Sequence, residues 1–377
     1  MMTTVLRRPI SMMAVLGLLS GAAAPGLAQT VDDKPDRHAP AETGAVPADK
    51  PSHALPAPQD ADSDPIGDRI RQTLQDTGTL PPKPIDVAYS AYQRGYFLTA
   101  FAMALGQAEN GDPIAQTLLG ELLAKGLGVR QDFKEAAGWY KLAAAQGDPE
   151  ALYALGRLYM DGRGLEKDPA RAAELFRQAG DLGQSTALRE LGYLYLRGEG
   201  VEKDEYRAAA YLTRAANGGD SDAQFTLGGL FIEGIGVSQD DIQAARWFGE
   251  AAKAGHVPAQ IEYAIMLFNG RGGPKDEPRA AGWLRQAALA DNPVAQRRFA
   301  RVLAEGRGVE KNAEEAARWY MIARRRGLQD KFLDIWLLRQ DADILRRAQE
   351  RANAWPGGFL NLSQAAGQEN STVPEAN

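Results

Sequence analysis

"PEALYALGRLYMDGRGLEKDPARAAELFRQAGDLGQ", residues 149–184, is the stretch that decides the fold. Ala151, Leu155, Leu158 and Tyr159 follow the i, i+4, i+7, i+8 spacing that puts apolar side chains on one face of a helix. Two glycines one residue apart come next, and a second run with an apolar helical face closes the stretch. Because glycine takes positive φ without a Cβ clash, the pattern predicts two helices joined by a glycine turn.

The same pattern occurs six times, and its features recur every 36 residues without an insertion. The glycine pairs are Gly126/Gly128, Gly162/Gly164, Gly198/Gly200, Gly234/Gly236, Gly270/Gly272 and Gly306/Gly308. A column of large side chains keeps the same step: Trp139, Leu175, Tyr211, Trp247, Trp283 and Trp319. One helical hairpin cannot bury its own apolar face, whereas stacked neighbours can. The sequence therefore predicts an all-α protein, a right-handed α-solenoid of six helix-turn-helix units over residues 113–328.

Polar residues at fixed positions mark where the helices begin. An acidic column of Asp132, Asp168, Asp204, Asp240 and Asp276, closed by Asn312, precedes each second helix. Such side chains accept hydrogen bonds from the free N–H groups of a helix start. The joints between units, of the type Gly147-Asp148-Pro149, combine a helix stop, a cap and a first-turn proline.

The repeated pattern is Ala-x-x-x-Leu-Gly-x-x-Tyr, then Gly-x-Gly-Val, then Asp, then Ala-Ala-x-Trp/Tyr, and it resembles the Sel-one-like repeat (SLR) family. That family is related to tetratricopeptide repeats, and the pattern is clearest in residues 151–168 and 223–240. The resemblance implies a protein-interaction scaffold. Exported bacterial members look like adaptors or regulators of envelope signalling, including exopolysaccharide control. The chain departs from the pattern at Tyr263-Ala264, at Phe299-Ala300 and at Asp291-Asn292.

The N-terminal part of the chain looks like an export signal followed by a tail. Residues 1–28 have an arginine pair, a short apolar core and small residues before Gln29, as in a cleaved secretory signal. We therefore expect cleavage after Ala28 and a periplasmic or secreted protein without stable membrane insertion. Residues 29–84 are rich in Pro, Asp and Ala, which predicts a disordered tail.

The repeats are flanked by segments that resemble caps. Residues 85–112 resemble a repeat with a shortened glycine loop and are interpreted as an N-terminal capping half-repeat. Residues 329–355 continue as helix with two tryptophans and are interpreted as C-terminal capping helices. Residues 356–377 are small and polar, which predicts a flexible tail.

Several classes of chemistry are disfavoured by the sequence. A net charge of -6 argues against a nucleic-acid partner, and the absence of cysteine excludes thiolate catalysis and cysteine metal sites. The glycine pairs match neither phosphate-loop pattern and follow no predicted strand. His38, His53 and His256 share no metal-ligand spacing. We therefore expect no catalytic residues, no cofactor and no metal.

Partner binding is expected on the outward positions of the first helices. These positions lie two residues before the Leu-Gly pair, two after the Leu and five after it, and they form an apolar, aromatic strip with arginines at its end. The candidate partner-binding residues are Tyr153, Arg157, Met160, Arg189, Tyr193, Leu196, Phe225, Ile232, Ile261, Ile265, Phe268, Arg297 and Arg301. If such a strip is exposed, it is typical of a binding groove. A tight superhelix would instead bury much of it against neighbouring helices.

The sequence thus favours a non-catalytic periplasmic scaffold or regulator of envelope signalling that binds a protein or peptide. We expect its partner to be an envelope protein. The alternative is an envelope-associated enzyme or a glycan-binding accessory protein. The sixth unit contains nine Lys/Arg and four Asp/Glu, so an acidic partner segment, or the chain's own acidic tail, is a candidate for that end. A solvated helix end is the simpler explanation.

Overall fold

The structure is a computed structural model, and it describes residues 84–355. These residues are helices and turns, without a strand, and they form two compact units, residues 84–204 and residues 205–355. Within them, no helix is both long enough and apolar enough to cross a bilayer. The predicted α-solenoid of helical hairpins is confirmed. The predicted signal peptide, residues 29–83 of the predicted tail and the C-terminal tail lie outside the described residues.

The described part of the first unit has seven helices. They are α1 (Pro84–Gln93), α2 (Phe97–Glu109), α3 (Pro113–Lys125), α4 (Phe133–Ala145), α5 (Pro149–Asp161), α6 (Pro169–Asp181) and α7 (Ser185–Arg197). The described part of the second unit has nine. They are α8 (Glu205–Asn217), α9 (Ser221–Glu233), α10 (Asp241–Lys253), α11 (Val257–Asn269), α12 (Glu277–Leu289), α13 (Pro293–Glu305), α14 (Ala313–Arg325), α15 (Lys331–Leu337) and α16 (Ala342–Asn353).

The predicted caps fix where the helices begin and end. The Asp148 carboxylate accepts from the N–H of Ala151 at 2.7 Å at the start of α5. Gly162 ends that helix in the left-handed region, at φ 67°. The Asp168 carboxylate then accepts from the N–H of Arg171 at 2.9 Å and starts α6. Because each boundary has its own polar or glycine residue, the sequence positions of helix and turn are set locally.

The first glycine of each turn ends a helix, whereas the second allows a close contact with the preceding repeat. Gly164 takes φ 70°, and a Cβ built on it would lie 2.3 Å from the carbonyl carbon of Phe133. Gly308 is equivalent, since its Cβ would lie 2.2 Å from the carbonyl carbon of Glu277. The turn of one repeat therefore touches the backbone at the start of the second helix in the preceding repeat, and only glycine leaves room for that approach.

The large side chains of the 36-residue column lie in the core, as predicted. Trp139, Trp247 and Trp319 are buried, and Trp283 is half-buried. The glycine of the Leu-Gly pair lets a ring from the second helix approach closely: a Cβ on Gly156 would lie 2.6 Å from the Phe176 ring. These tryptophans thus pack the hairpins together and are not presented as an aromatic cage.

A buried glutamine is the fourth residue of several first helices, a feature that was not predicted from the sequence. Gln116, Gln224, Gln260 and Gln296 are buried, and each donates its side-chain N–H to the carbonyl eight residues earlier. Those carbonyls belong to the last turn of the preceding helix, and each also accepts from the backbone N–H three residues later. The glutamines therefore tie one repeat to the next.

The joint between the fifth and sixth repeats contains an unusual residue that contacts the C-terminal helical segment. Asp291 stands where the other joints have glycine, and it takes φ 62°, the only positive φ of a non-glycine residue among residues 84–355. Its carboxylate accepts from the Trp355 indole N–H at 3.2 Å and from the Gln296 amide at 3.0 Å, and it pairs with Arg326. Trp355 also lies edge-on to Trp319, with ring centroids 5.0 Å apart. The departure from the repeat pattern at Asp291 therefore anchors Trp355, the last residue that the structure describes.

Candidate partner-binding surface

The thirteen predicted partner-binding residues differ widely in exposure. Arg157 is exposed. Eight are half-buried: Tyr153, Met160, Arg189, Phe225, Ile232, Ile265, Arg297 and Arg301. Four are buried: Tyr193, Leu196, Ile261 and Phe268. A contact between these four and a partner does not fit their burial. The burial of these four side chains shows that they pack within the repeats.

In the first unit, the predicted residues form a small polar-aromatic surface. Tyr153 packs against the ring of Phe176, with centroids 5.8 Å apart. Burial, with Glu190 nearby, raises the pKa of the Tyr153 hydroxyl, although Arg157 opposes the shift. Arg189 pairs with Glu190 at 3.1 Å. Among the predicted residues of this unit, Arg157 is the exposed cation, and it interacts with the uncharged Tyr153 hydroxyl.

In the second unit, the ring of Phe225 packs against two neighbouring rings. Its ring centroid lies 4.7 Å from that of His256 and 5.5 Å from that of Phe248. His256 replaces the joint aspartate: its Nδ1 accepts from the N–H of Ala259 at 3.1 Å, and its Nε2 lies 3.2 Å from Asp222. Phe225 therefore packs the joint and adds little free surface for a partner.

The structure brings four predicted residues together around one cavity of about 110 Å³ in the second unit. These are Ile265, Phe268, Arg297 and Arg301. The other lining residues are Leu284, Arg298, Val302, Glu305, Arg307 and Asp330. The apolar members come from α11, α12 and α13, while three of the four arginines are on α13. The result is a cavity with apolar and cationic walls.

Two of these arginines already have acidic partners. Arg301 donates from Nε to Glu305 at 2.8 Å and lies 3.7 Å from Asp330. Arg307 donates to Glu277 at 3.0 Å. These pairs hold the guanidinium groups in place and neutralise part of their charge.

The other two arginines are less well satisfied. Arg297 donates to the carbonyl of Gln329 at 3.3 Å, and its buried Nε has no hydrogen-bond partner. The Nε of Arg298 is likewise buried without a partner. Its acidic neighbour is Glu262, whose pKa is raised by burial, so desolvation disfavours the charged carboxylate. The charges of Glu262 and Arg298 favour each other, whereas Arg297 has no acidic partner among residues 84–355.

An apolar ledge adjoins the cavity on α15. Phe332 and Ile335 are 38% and 53% exposed, and Leu338 directly after the helix is 87% exposed. The Arg301 guanidinium lies 4.7 Å from the centre of the Phe332 ring, which links the ledge to the cavity wall. We call these three residues the apolar ledge.

Arg298, Arg307 and Asp330 also line this site but were not predicted from the sequence. Arg307 lies between the two turn glycines of the sixth unit, where Arg271 and Arg163 occupy the same column. Arg271 also reaches back to an acidic residue 30 positions earlier, Asp241, at 2.6 Å. The pairing of Arg271 and Arg307 with acids 30 residues earlier, at the start of the preceding second helix, is a signal that could have identified Arg307.

No group of three or more metal-ligating side chains occurs within residues 84–355. Chemically, the arrangement can hold an anionic or amphipathic group by charge, hydrogen bonds and apolar contact.

Comparison with known proteins is consistent with this architecture. The profile of the Sel1 repeat matches residues 113–148, 149–184, 185–220, 221–256, 257–292 and 293–328, more than half of the chain. These are the six predicted units. A search of curated proteins gives no match.

Solved structures include similar repeat proteins. A Sel1 repeat protein from Oxalobacter formigenes is 29% identical, with a TM-score of 0.55, and the match covers 66% of this chain and 99% of that one. A protective antigen of uropathogenic Escherichia coli with an SLR fold is 21% identical, with a TM-score of 0.41, covering 82% and 90%. An immunity protein of Pseudomonas aeruginosa is 20% identical, with a TM-score of 0.35, covering 64% and 83%.

Proposed function

Because the chain belongs to the Sel1 repeat family, whose members generally serve as protein–protein interaction scaffolds, we propose that it is a non-catalytic, exported scaffold or signalling regulator. In this proposal it holds an envelope protein, or a peptide segment of one, on the surface formed by its first helices. Control of exopolysaccharide production is one process in which such a regulator would act.

The proposal rests on a difference between two sets of positions: the repeated ones maintain the fold, and the varying ones form the surface. The repeated glycines, caps and large side chains are occupied by turns and packing, as Gly164, Asp168 and Trp319 illustrate. The varying positions of the first helices supply the half-buried and exposed residues, among them Arg157 and the arginines of the α13 cavity. A scaffold with a constant frame and a variable surface is suited to recognising one partner.

Export is proposed from sequence alone. Arg7 and Arg8, the apolar run at residues 10–19 and the small residues before Gln29 are the supporting observations. Fractionation of cells with N-terminal sequencing of the mature protein tests this part. A mature chain beginning at Gln29 is the expected result, and an uncleaved cytoplasmic chain would refute export.

Partner binding is tested by site-specific photocrosslinking in cells. A photoreactive residue at position 157 or 301 should capture a defined protein partner, since Arg157 is exposed and Arg301 lines the cavity. Position 177 is the matched control, because Arg177 is exposed on the second helix α6. Capture that is equal at all three positions, or absent from all three, would contradict binding on the first helices.

A second test uses charge reversal. Arg157→Glu should weaken capture of that partner in a pull-down, while the circular dichroism spectrum and the melting temperature stay close to those of the unmodified protein, because Arg157 is exposed. Tyr193 is unsuitable for such a test, because it is buried and its truncation would damage the core.

A further inference from the structure

We propose that the α13 cavity anchors an acidic peptide segment of the partner, with a carboxylate held by the arginines and an adjacent apolar side chain packed on the cavity floor and the apolar ledge. This inference rests on the proposed scaffold function and assigns the chemistry of the partner.

Charge complementarity is the first argument. Four arginines line the cavity, while the lining carboxylates are Glu305 and Asp330. Both acids are near Arg301, and Arg307 is paired with Glu277 outside the lining. Glu262 lies beside Arg298, so Arg297 is the lining arginine that has no acidic partner among residues 84–355 and is left for an incoming anion.

The unsatisfied donors are the second argument. The Nε atoms of Arg297 and Arg298 are both buried without a hydrogen-bond partner, and Arg297 otherwise donates to a single carbonyl at 3.3 Å. Incomplete hydrogen bonding of a buried cation is unfavourable, and a ligand carboxylate can accept from two guanidinium N–H groups at once. A carboxylate in the cavity would accept from the terminal N–H groups of these guanidinium groups, while the buried Nε atoms stay covered.

The apolar walls decide between anion classes. Ile265, Phe268 and Val302 line the same cavity, and exposed Phe332 and Ile335 continue the apolar surface outside it. A free inorganic anion or an anionic polysaccharide has no group that would bury this surface. A peptide with Asp or Glu next to Leu, Ile or Phe has both groups, and the cavity of about 110 Å³ suits a side chain and not a folded domain.

The experiment measures binding to the full-length protein by fluorescence anisotropy. The probe is a labelled peptide of alternating glutamate and leucine. Its two matched controls are the lysine–leucine and the glutamate–serine peptides. We expect binding of the glutamate–leucine peptide alone, weakened when salt is raised from about 50 to about 500 mM because screening shortens the range of the charges.

Two variants locate the site. The double variant Arg297→Gln and Arg298→Gln should reduce affinity for the glutamate–leucine peptide about tenfold or more, since it removes charge-assisted hydrogen bonds. Arg325→Gln is the matched control, because Arg325 is an exposed arginine of the same unit that does not line the cavity. Phe332→Ser should weaken binding of the glutamate–leucine peptide, since it removes part of the exposed apolar ledge. Melting curves of all variants establish that they are folded.

Equal loss in the Arg325→Gln control, or no loss in the double variant, would overturn the site. Two further probes cover the other occupants. An oligogalacturonate that binds more tightly than the peptide would overturn the choice of a peptide. A peptide of residues 57–71, "APQDADSDPIGDRIR", that outcompetes the glutamate–leucine probe would reassign the cavity to the chain's own acidic segment. A partner captured by photocrosslinking despite failed peptide binding would leave the scaffold function standing and reject this inference.

Discussion

The hairpins at residues 149–184 and 293–328 have the same length and turn, yet their two helices are packed together in different ways. In the earlier hairpin, Gly156 makes room for the apolar ring of Phe176. In the later one, Ala300 stands at the glycine position and Tyr320 at the ring position, and both are fully buried. The Tyr320 hydroxyl donates to Asp334 at 2.7 Å and accepts from the N–H of Asp330 at 2.9 Å.

The difference shows that the 36-residue frame tolerates a change in the chemistry between its helices. The earlier hairpin relies on close apolar contact. The later one adds hydrogen bonds that reach the residues before and within α15, next to the arginine-lined cavity. The frame therefore stays constant while the last repeat acquires the polar groups that position its surface.

The largest effect is expected from changing the close contact in the earlier hairpin. Gly156→Ala should destabilise the protein by about 1–3 kcal/mol, since the new Cβ would overlap the Phe176 ring. Denaturant unfolding of the purified protein measures the change. Adding Phe176→Leu should recover part of the loss, because Leu284 accompanies Ala264 in the fifth repeat.

Gly282→Ala is the control for that prediction. Gly282 is an exposed helical glycine with no atom within 4 Å of an added Cβ, so the substitution should be neutral or stabilising by up to about 1 kcal/mol. Equal destabilisation at positions 156 and 282 would mean that the close contact does not matter.

Removing the tyrosine hydroxyl of the later hairpin should have the next largest effect. Tyr320→Phe leaves the N–H of Asp330 and the Asp334 carboxylate without this partner, which should reduce stability by about 1–2 kcal/mol. Burial and Asp334 raise the pKa of Tyr320 to about 12, so the hydroxyl is protonated at neutral pH and can donate. Hydrogen exchange of α15 should increase in the variant, and unchanged exchange there would contradict this role.

The joint residues offer a smaller and more specific contrast. Asp291→Gly relieves the positive φ but removes the hydrogen bonds to Trp355 and Gln296, so we expect a net loss of about 1 kcal/mol. Tryptophan fluorescence should report looser packing of Trp355. Gly147→Asp is the reverse change at a joint with φ 82° and open space, and it should lose about 1 kcal/mol from backbone strain without altering tryptophan emission. A gain in stability for Asp291→Gly would refute the anchor.

The smallest effect is expected from pH at the His256 joint. Burial lowers the pKa of His256 below its ordinary 6.5, although Asp222 and Asp220 oppose the shift. The unfolded chain then binds the proton more readily, so stability is fully present above about pH 6.5 and is lost as pH falls through the window between 6.5 and the folded pKa. Protonation also converts Nδ1, which accepts from Ala259, into a donor. The loss should be below about 1.4 kcal/mol per unit of pKa shift.

His256→Asp tests this by restoring the residue that caps the same joint at Asp148. Stability measured by denaturant unfolding at pH 5 and at pH 7.5 should differ less in the variant than in the unmodified protein. A pH dependence that His256→Asp leaves unchanged would assign the effect to other groups.

The fold was predictable because its signals are local and repeated. Gly162, Asp168 and Trp319 each act within their own hairpin or its neighbour, and their recurrence at 36 residues identifies them. The site was predictable only in part. Selecting residues by their fixed distance from the Leu-Gly pair gives both Tyr193 and Arg297, although Tyr193 is buried and Arg297 lines the cavity. How adjacent first helices pack depends on side chains from several repeats at once, and no single column carries that information.

The contact between each turn and the preceding repeat has a consequence for how such a chain can evolve. The glycines at positions 164 and 308 lie against backbone that begins 31 residues earlier, at Phe133 and Glu277. An added residue in one turn would push that glycine out of register with its neighbour. We therefore expect such chains to gain or lose length in whole 36-residue blocks, by duplication or deletion, and to exclude single-residue insertions from the turns. The 36-residue period is thus inherited as a unit.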